Sequence, residues 1–132
     1  MSEGNRYIDH SGDRKYFTQI PNLIIDFPLS PYAFRVYVHI KRVTGEDGIC
    51  WQTTRTIADR CNISRNSVNR AIKELDSNRF IEEIKVPGKH GEFSHNEMTM
   101  RDIWKNNVDF YNLTENQRRE LISQWKTLTH FE

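Results

Sequence analysis

Residues 64 to 77 read SRNSVNRAIKELDS, and the groups there that could do chemistry are amides and cations: Arg65, Asn66, Asn69, Arg70 and Lys73. An asparagine amide offers a donor and an acceptor in one plane, which fits the edge of adenine. An arginine fork fits the edge of guanine in the same two-bond manner. At about 100° per residue, and with Val68 set to zero, Ile72 falls near 40°, Leu75 near −20° and Ala71 near −60°. Asn66, Arg70 and Lys73 then fall between about 140° and 200°, on the opposite side, with Asn69 on the flank. One face of this segment is built for burial and the other for amide and guanidinium recognition. In the competing reading, Arg70 and Lys73 only solvate a helix face and pair with Glu74 or Asp76.

Such a face needs elements that hold it out, and the flanking sequence supplies them. Ser64 caps the segment, and Asn62, one of the few non-glycine residues that accept a left-handed backbone, closes the helix before it. That earlier helix begins at Thr53 or Thr54 and carries Ile57, Ala58 and Cys61 on one side. A turn of about three residues forces a steep crossing, with Ile57, Ala58, Ile63, Val68 and Ile72 meeting in the crook. Further upstream, Ser30 followed by Pro31 starts a helix in which Ala33, Val36, Tyr37, Ile40 and Val43 recur at helical spacing, with Gly45 as its stop. The prolines of "YFTQIPNLIIDFPLSP" favour an extended segment before it, and "ICW" at 49–51 is a candidate short strand. Downstream, Ile81, Ile84 and Val86, the turn-rich "PGKHGE", and Phe93 to Met100 read as two strands around a loop. "KNNVDFYN" reads as a link to a last helix, beginning at Leu113 or Thr114, whose stripe is Leu121, Ile122, Trp125 and Leu128.

Helix, short strand, helix, tight turn, helix and hairpin in that order predict an α+β winged helix-turn-helix, a three-helix core plus a β-hairpin wing, with an extra C-terminal helix. The expected organisation is a flexible arm over 1–15, a DNA-binding domain over 16–104, and a linker and helix over 105–132. In such folds the outer helix enters the major groove of duplex DNA. Arg65, Asn66, Asn69 and Arg70 are the candidates for base readout, with Lys73 beside them. Amides and hydroxyls at Thr53, Thr54, Ser64 and Ser67, helped by Arg55, are candidates for holding phosphates. Lys85, Lys89 and His90, at the hairpin tip, could lie along a neighbouring groove.

Composition narrows the alternatives. The chain has 132 residues, 36% hydrophobic and 28% charged, with a formal charge of +1. These values suit one globular domain and select no partner by net charge alone. Residues 51 to 91, however, hold eight Lys or Arg against five acids. Cys50 and Cys61 lack zinc-site spacing and read as buried, reduced thiols. His90 and His95 complete no tetrahedral set with them, so no metal is expected. "DHS" at Asp9 to Ser11 has the letters of a hydrolase triad, but neighbouring residues cannot reach one another in those roles. A glycine-rich phosphate loop is also missing. Neither catalysis nor a cofactor is expected, and no apolar run spans a bilayer. A cytoplasmic setting is expected. Trp51 and Trp104 read as core or hairpin packing.

Residues 17 to about 83 also resemble the helix-turn-helix domain at the front of plasmid and phage replication initiators and replisome organisers related to the DnaD-type proteins. The shared features are the "IP" entry with an acid after it, "LSP" opening the first helix, the "DG" loop, and "IA…C-x-I-S-x-x-S-V-x-R-A-I-K-E-L" across the paired helices. Two positions depart from that pattern: Asn62, and "SNRF" from Ser77, stand where these proteins often carry glycine. The resemblance implies DNA binding in replication initiation, with replication proteins as partners, or regulation of mobile-element genes. A winged-helix adaptor that binds protein in place of DNA is the alternative of a different class. The last helix either folds back on the domain or makes a homodimer.

Overall fold

The computed structural model describes residues 4, 6–9, 16–91 and 93–128. Most of the expected arm over 1–15, including His10 and Ser11 of the "DHS" stretch, lies outside the described residues. The element order is α1 (Asn22–Asp26), α2 (Pro31–Asp47), α3 (Thr54–Cys61), α4 (Arg65–Ser77), β1 (Ile81–Pro87), β2 (Phe93–Met100), α5 (Trp104–Tyr111) and α6 (Glu115–Leu128). This is the winged helix-turn-helix: α2, α3 and α4 around one core, with an antiparallel β1–β2 hairpin as the wing.

The caps explain where the helices begin. Ser30, Thr53 and Ser64 are extended residues whose side-chain oxygens accept from the amides of Ala33, Thr56 and Ser67, so each helix starts with one orphan donor satisfied. At the turn, Asn62 adopts φ 59° and ψ 47°. The following amide, Ile63 N, then reaches back to Ala58 O at 3.1 Å. The crook forms as expected: Ile57, Ala58, Val68 and Ile72 are buried, with half-buried Ile63 packed on them.

The end of α4 explains the second departure from the glycine pattern. Arg79 has φ 63°, Phe80 N donates to Leu75 O at 3.0 Å, and Arg79 N donates to Asp76 O at 3.0 Å. This is a Schellman closure with Arg79 in the left-handed position, and the side chains of Phe80 and Leu75 are both buried beneath it. An L-residue with a Cβ is strained in that region by about 1 to 2 kcal/mol. Arg79→Gly should therefore hold or raise stability by up to about 1 kcal/mol, whereas Arg79→Val should lower it by a similar amount or more, as read from urea midpoints.

Several boundaries differ from the sequence-based expectation. Helix α2 runs through Gly45 and closes at Gly48, whose φ is 82° and whose amide bonds Thr44 O at 2.7 Å. Glycine is tolerated inside a helix, but the stop belongs to the glycine that takes positive φ. The segment before α2 is not wholly extended: Asn22–Asp26 makes a short helix between two prolines, burying Leu23 and Ile24. "KNNVDFYN" is not a linker, because α5 occupies it with Phe110 inward and an Asn107 side chain that accepts from Leu23 N at 2.9 Å. The strand expected at 49–51 is a single bridge: Cys50 and Met98 exchange two backbone bonds of 2.9 and 2.7 Å beside the wing. Trp51 and Trp104 are not packing residues, since they are 63% and 66% exposed.

Helix α6 folds back on its own chain. Trp125 lies 4.9 Å from the Phe27 ring and stacks on Phe110 at 5.4 Å, while Phe80 meets Phe27 edge-on at 4.8 Å. Tyr111 adds a hydrogen bond from its hydroxyl to Asp26 Oδ2. Burial, and then that carboxylate, push the Tyr111 hydroxyl well above the ordinary tyrosine range. The polar tie at the core's edge is Glu74, which is 7% exposed and accepts the Ser30 amide at 2.9 Å. Its charge therefore sits at the N-terminus of α2, where a helix favours an anion. Glu74→Ala should destabilise the domain by about 1 to 3 kcal/mol, measured in urea, because the Ser30 amide loses its partner.

Candidate nucleic-acid interface

Helix α4 packs one of its faces inward: Val68, Ala71, Ile72, Glu74 and Leu75 are buried. Arg65, Asn66, Asn69, Arg70 and Lys73 are exposed. Among the described residues, neither Arg65, Arg70 nor Lys73 makes a salt bridge, so the expected alternative pairing with Glu74 or Asp76 is not formed. Glu74 is instead used by Ser30. Unpaired guanidiniums and an exposed amide in a row are able to form two-bond contacts with purine edges.

The threonines and serines at the helix starts are partly committed. Thr53 Oγ1 accepts from Thr56 N at 3.1 Å, and Ser64 Oγ accepts from Ser67 N at 3.1 Å while donating to Ser67 Oγ at 2.9 Å. What these positions still offer an anion is the dipole of the helix start and nearby amides. Thr54 Oγ1 donates to Asn69 Oδ1 at 3.3 Å, joining the start of α3 to the middle of α4. Asn69 thus has its acceptor engaged and its two amide hydrogens left. That suits a donor to phosphate or to a single base acceptor better than the paired contact with adenine. Arg55 is exposed beside Thr54.

In the wing, Lys85, Lys89 and His90 are all exposed, and the tip closes with Gly91 at φ 84° and its amide 3.2 Å from Gly88 O. The adjacent acids Glu82 and Glu83 of β1 are placed by separate partners. Glu82 meets Arg101 at 3.7 Å, and Glu83 accepts from Asn96 Nδ2 at 3.1 Å. Burial raises the Glu83 carboxyl above its usual range, with Lys85 opposing the rise. The buried thiols of Cys50 and Cys61 are likewise pushed up by desolvation, which leaves them poor nucleophiles.

Among the described residues, no cluster of three or more His, Cys, Asp or Glu could hold a metal, and no helix is long and apolar enough to cross a membrane. Sequence reasoning missed Arg35 and His39 on α2. Arg35 Nε donates to Cys61 O at 2.7 Å, and His39 Nε2 donates to Gln52 Oε1 at 2.7 Å. Their i, i+4 spacing was visible, but nothing in the sequence says that α3 lies across them.

Fold and surface together define a winged helix-turn-helix domain with a polar, cationic outer helix. Residues 28–81 match the family model described as a helix-turn-helix domain. Among solved structures, the chain is similar to "Possible transcriptional regulator from Methanosarcina mazei Go1", with a TM-score of 0.47 and 14% identity, over 80% of this chain and 76% of that one. No curated protein matches the chain.

Proposed function

We propose that the protein binds double-stranded DNA sequence-specifically and without catalysis, with α4 in the major groove. The observation that carries this reading is the sidedness of α4: Asn66 and Arg70 are exposed while Val68, Ala71, Ile72 and Leu75 close the core. The helix-turn-helix match over residues 28–81 supports the same class of partner. Arg65, Asn66 and Arg70 read bases, Asn69 donates from the flank, and Lys73 lies on the same face. The amides at Thr53, Thr54, Ser64 and Ser67 with Arg55 hold phosphates, and Lys85, Lys89 and His90 bring the wing to the backbone.

The finer reading is a role in plasmid or phage replication initiation, supported by the resemblance of residues 17 to about 83 to replication organisers. Regulation of mobile-element transcription is the other setting. Selection of bound fragments from a random duplex pool separates them: direct repeats agree with an origin, and a palindrome agrees with a dimer on an operator. Binding that is indifferent to sequence and unchanged by salt would remove the DNA reading altogether.

A further inference from the structure

A concavity lies between α2 and α3, and no residue of α4 lines it. It has a volume of about 440 Å³, within the size range of small-ligand sites. Arg35, His39 and Arg42 line it from α2, at i, i+4 and i+7, and Arg60 lines it from α3. Phe34 and Val38 provide apolar wall, and among the described residues no aspartate or glutamate lines the groove.

Two of these groups are held in place. The bond from Arg35 Nε to the Cys61 carbonyl fixes one guanidinium against the end of α3, and its terminal nitrogens have no partner among the described residues. His39 is fixed at the other end through Gln52. Neither Arg35 nor Arg60 makes a salt bridge with a described residue. The like charges of Arg35 and Arg60 on the two walls of one hollow repel each other, and an anion placed between them relieves that repulsion. The planar forks of Arg35 and Arg60 match the oxygens of phosphate in paired hydrogen bonds.

We propose that the α2–α3 groove is a phosphate-binding site, separate from the outer face of α4. Its ligand is a phosphate group, carried either by a small phosphorylated molecule or by the backbone of a nucleic acid. The site does not depend on α4 being the recognition helix, since the two surfaces share no residue.

The test uses the full chain and two arms. In the first, inorganic pyrophosphate is titrated while backbone amide shifts are recorded, against sodium chloride at matched ionic strength. Saturable shifts over 34–42 and 60–61 are expected, weakened about tenfold or more in Arg60→Gln, a change that removes a charged group and no internal bond. In the second, the dependence of duplex binding on salt is compared between the natural chain and Arg60→Gln. A slope shallower by about one in the variant assigns the phosphate to the duplex. Pyrophosphate saturation that weakens in Arg60→Gln, with an unchanged slope, assigns it to a free small anion. Absence of both effects, or pyrophosphate saturation identical in Arg60→Gln with no slope change, overturns the site. Failure of the α4 reading would show separately, through variants at Asn66 and Arg70.

Discussion

Replacing Asn66 and Arg70 together by alanine should abolish sequence discrimination while leaving the fold intact. Each side chain is exposed and has no described partner to lose, so the circular dichroism spectrum should match the parent and the urea midpoint should report stability within about 0.5 kcal/mol of it. Removing either two-bond interaction with a base should weaken binding to the selected duplex by about 1 to 3 kcal/mol. The two positions are one helical turn apart, so their effects should couple and the double loss need not equal the sum. Binding to unrelated duplex should change much less, because the proposed phosphate contacts of Arg55, the helix starts and the wing are left untouched. A competition assay with selected and scrambled duplexes reads the ratio directly, and retention of the full ratio in the double variant would remove these residues from recognition.

The inward side of the same helix should respond in the opposite way. Leu75 is fully buried where α4 meets the core, so Leu75→Ala should cost about 2 to 5 kcal/mol of stability through lost transfer energy and a residual cavity. Lys73, two residues earlier and exposed, should tolerate alanine within about 0.5 kcal/mol. Urea unfolding with an unchanged slope would attribute the Leu75 effect to the folded state. Equal losses at both positions would mean that α4 is not sided in this way.

Much of this sidedness was legible because it is local. A 3.6-residue repeat places Val68, Ala71, Ile72 and Leu75 together whatever they pack against, and serine or threonine before each helix marks a start through the backbone's need for acceptors. Asn62 was readable as a turn for the same reason: few side chains accept its φ. The choice of Gly48 over Gly45 was not, since both glycines permit a stop and the local sequence does not say which takes positive φ. Arg79 in a left-handed position was hidden, because arginine carries no preference for it; the departure from glycine was visible, but not which residue would absorb the strain.

Features made by contacts distant in sequence were the least readable. Helix α5 is short and exposes Trp104 and Val108 beside its polar residues, and what holds it is Phe110 under Trp125 together with the Asn107 side chain bonded to the Leu23 amide. The same stack turns the Trp125 side of α6 back on its own chain, a contact made by residues far apart in sequence. Asn69 shows the limit at the site itself. Its place on the flank followed from periodicity, but its bond to Thr54 depends on the crossing angle of α3 and α4. Glu74 read as a surface partner for cations, and only the approach of α2 makes it a buried acceptor.

The most direct test of α4 as the groove-reading element is an amide-shift titration of the full chain with its selected duplex, followed at two salt concentrations. The largest changes are expected over 64–73, with smaller ones at 53–55 and at the wing tip around 89–91, all fading as salt rises. Changes confined to α5 and α6, with the amides of Asn66 and Arg70 unmoved at saturation, would contradict it.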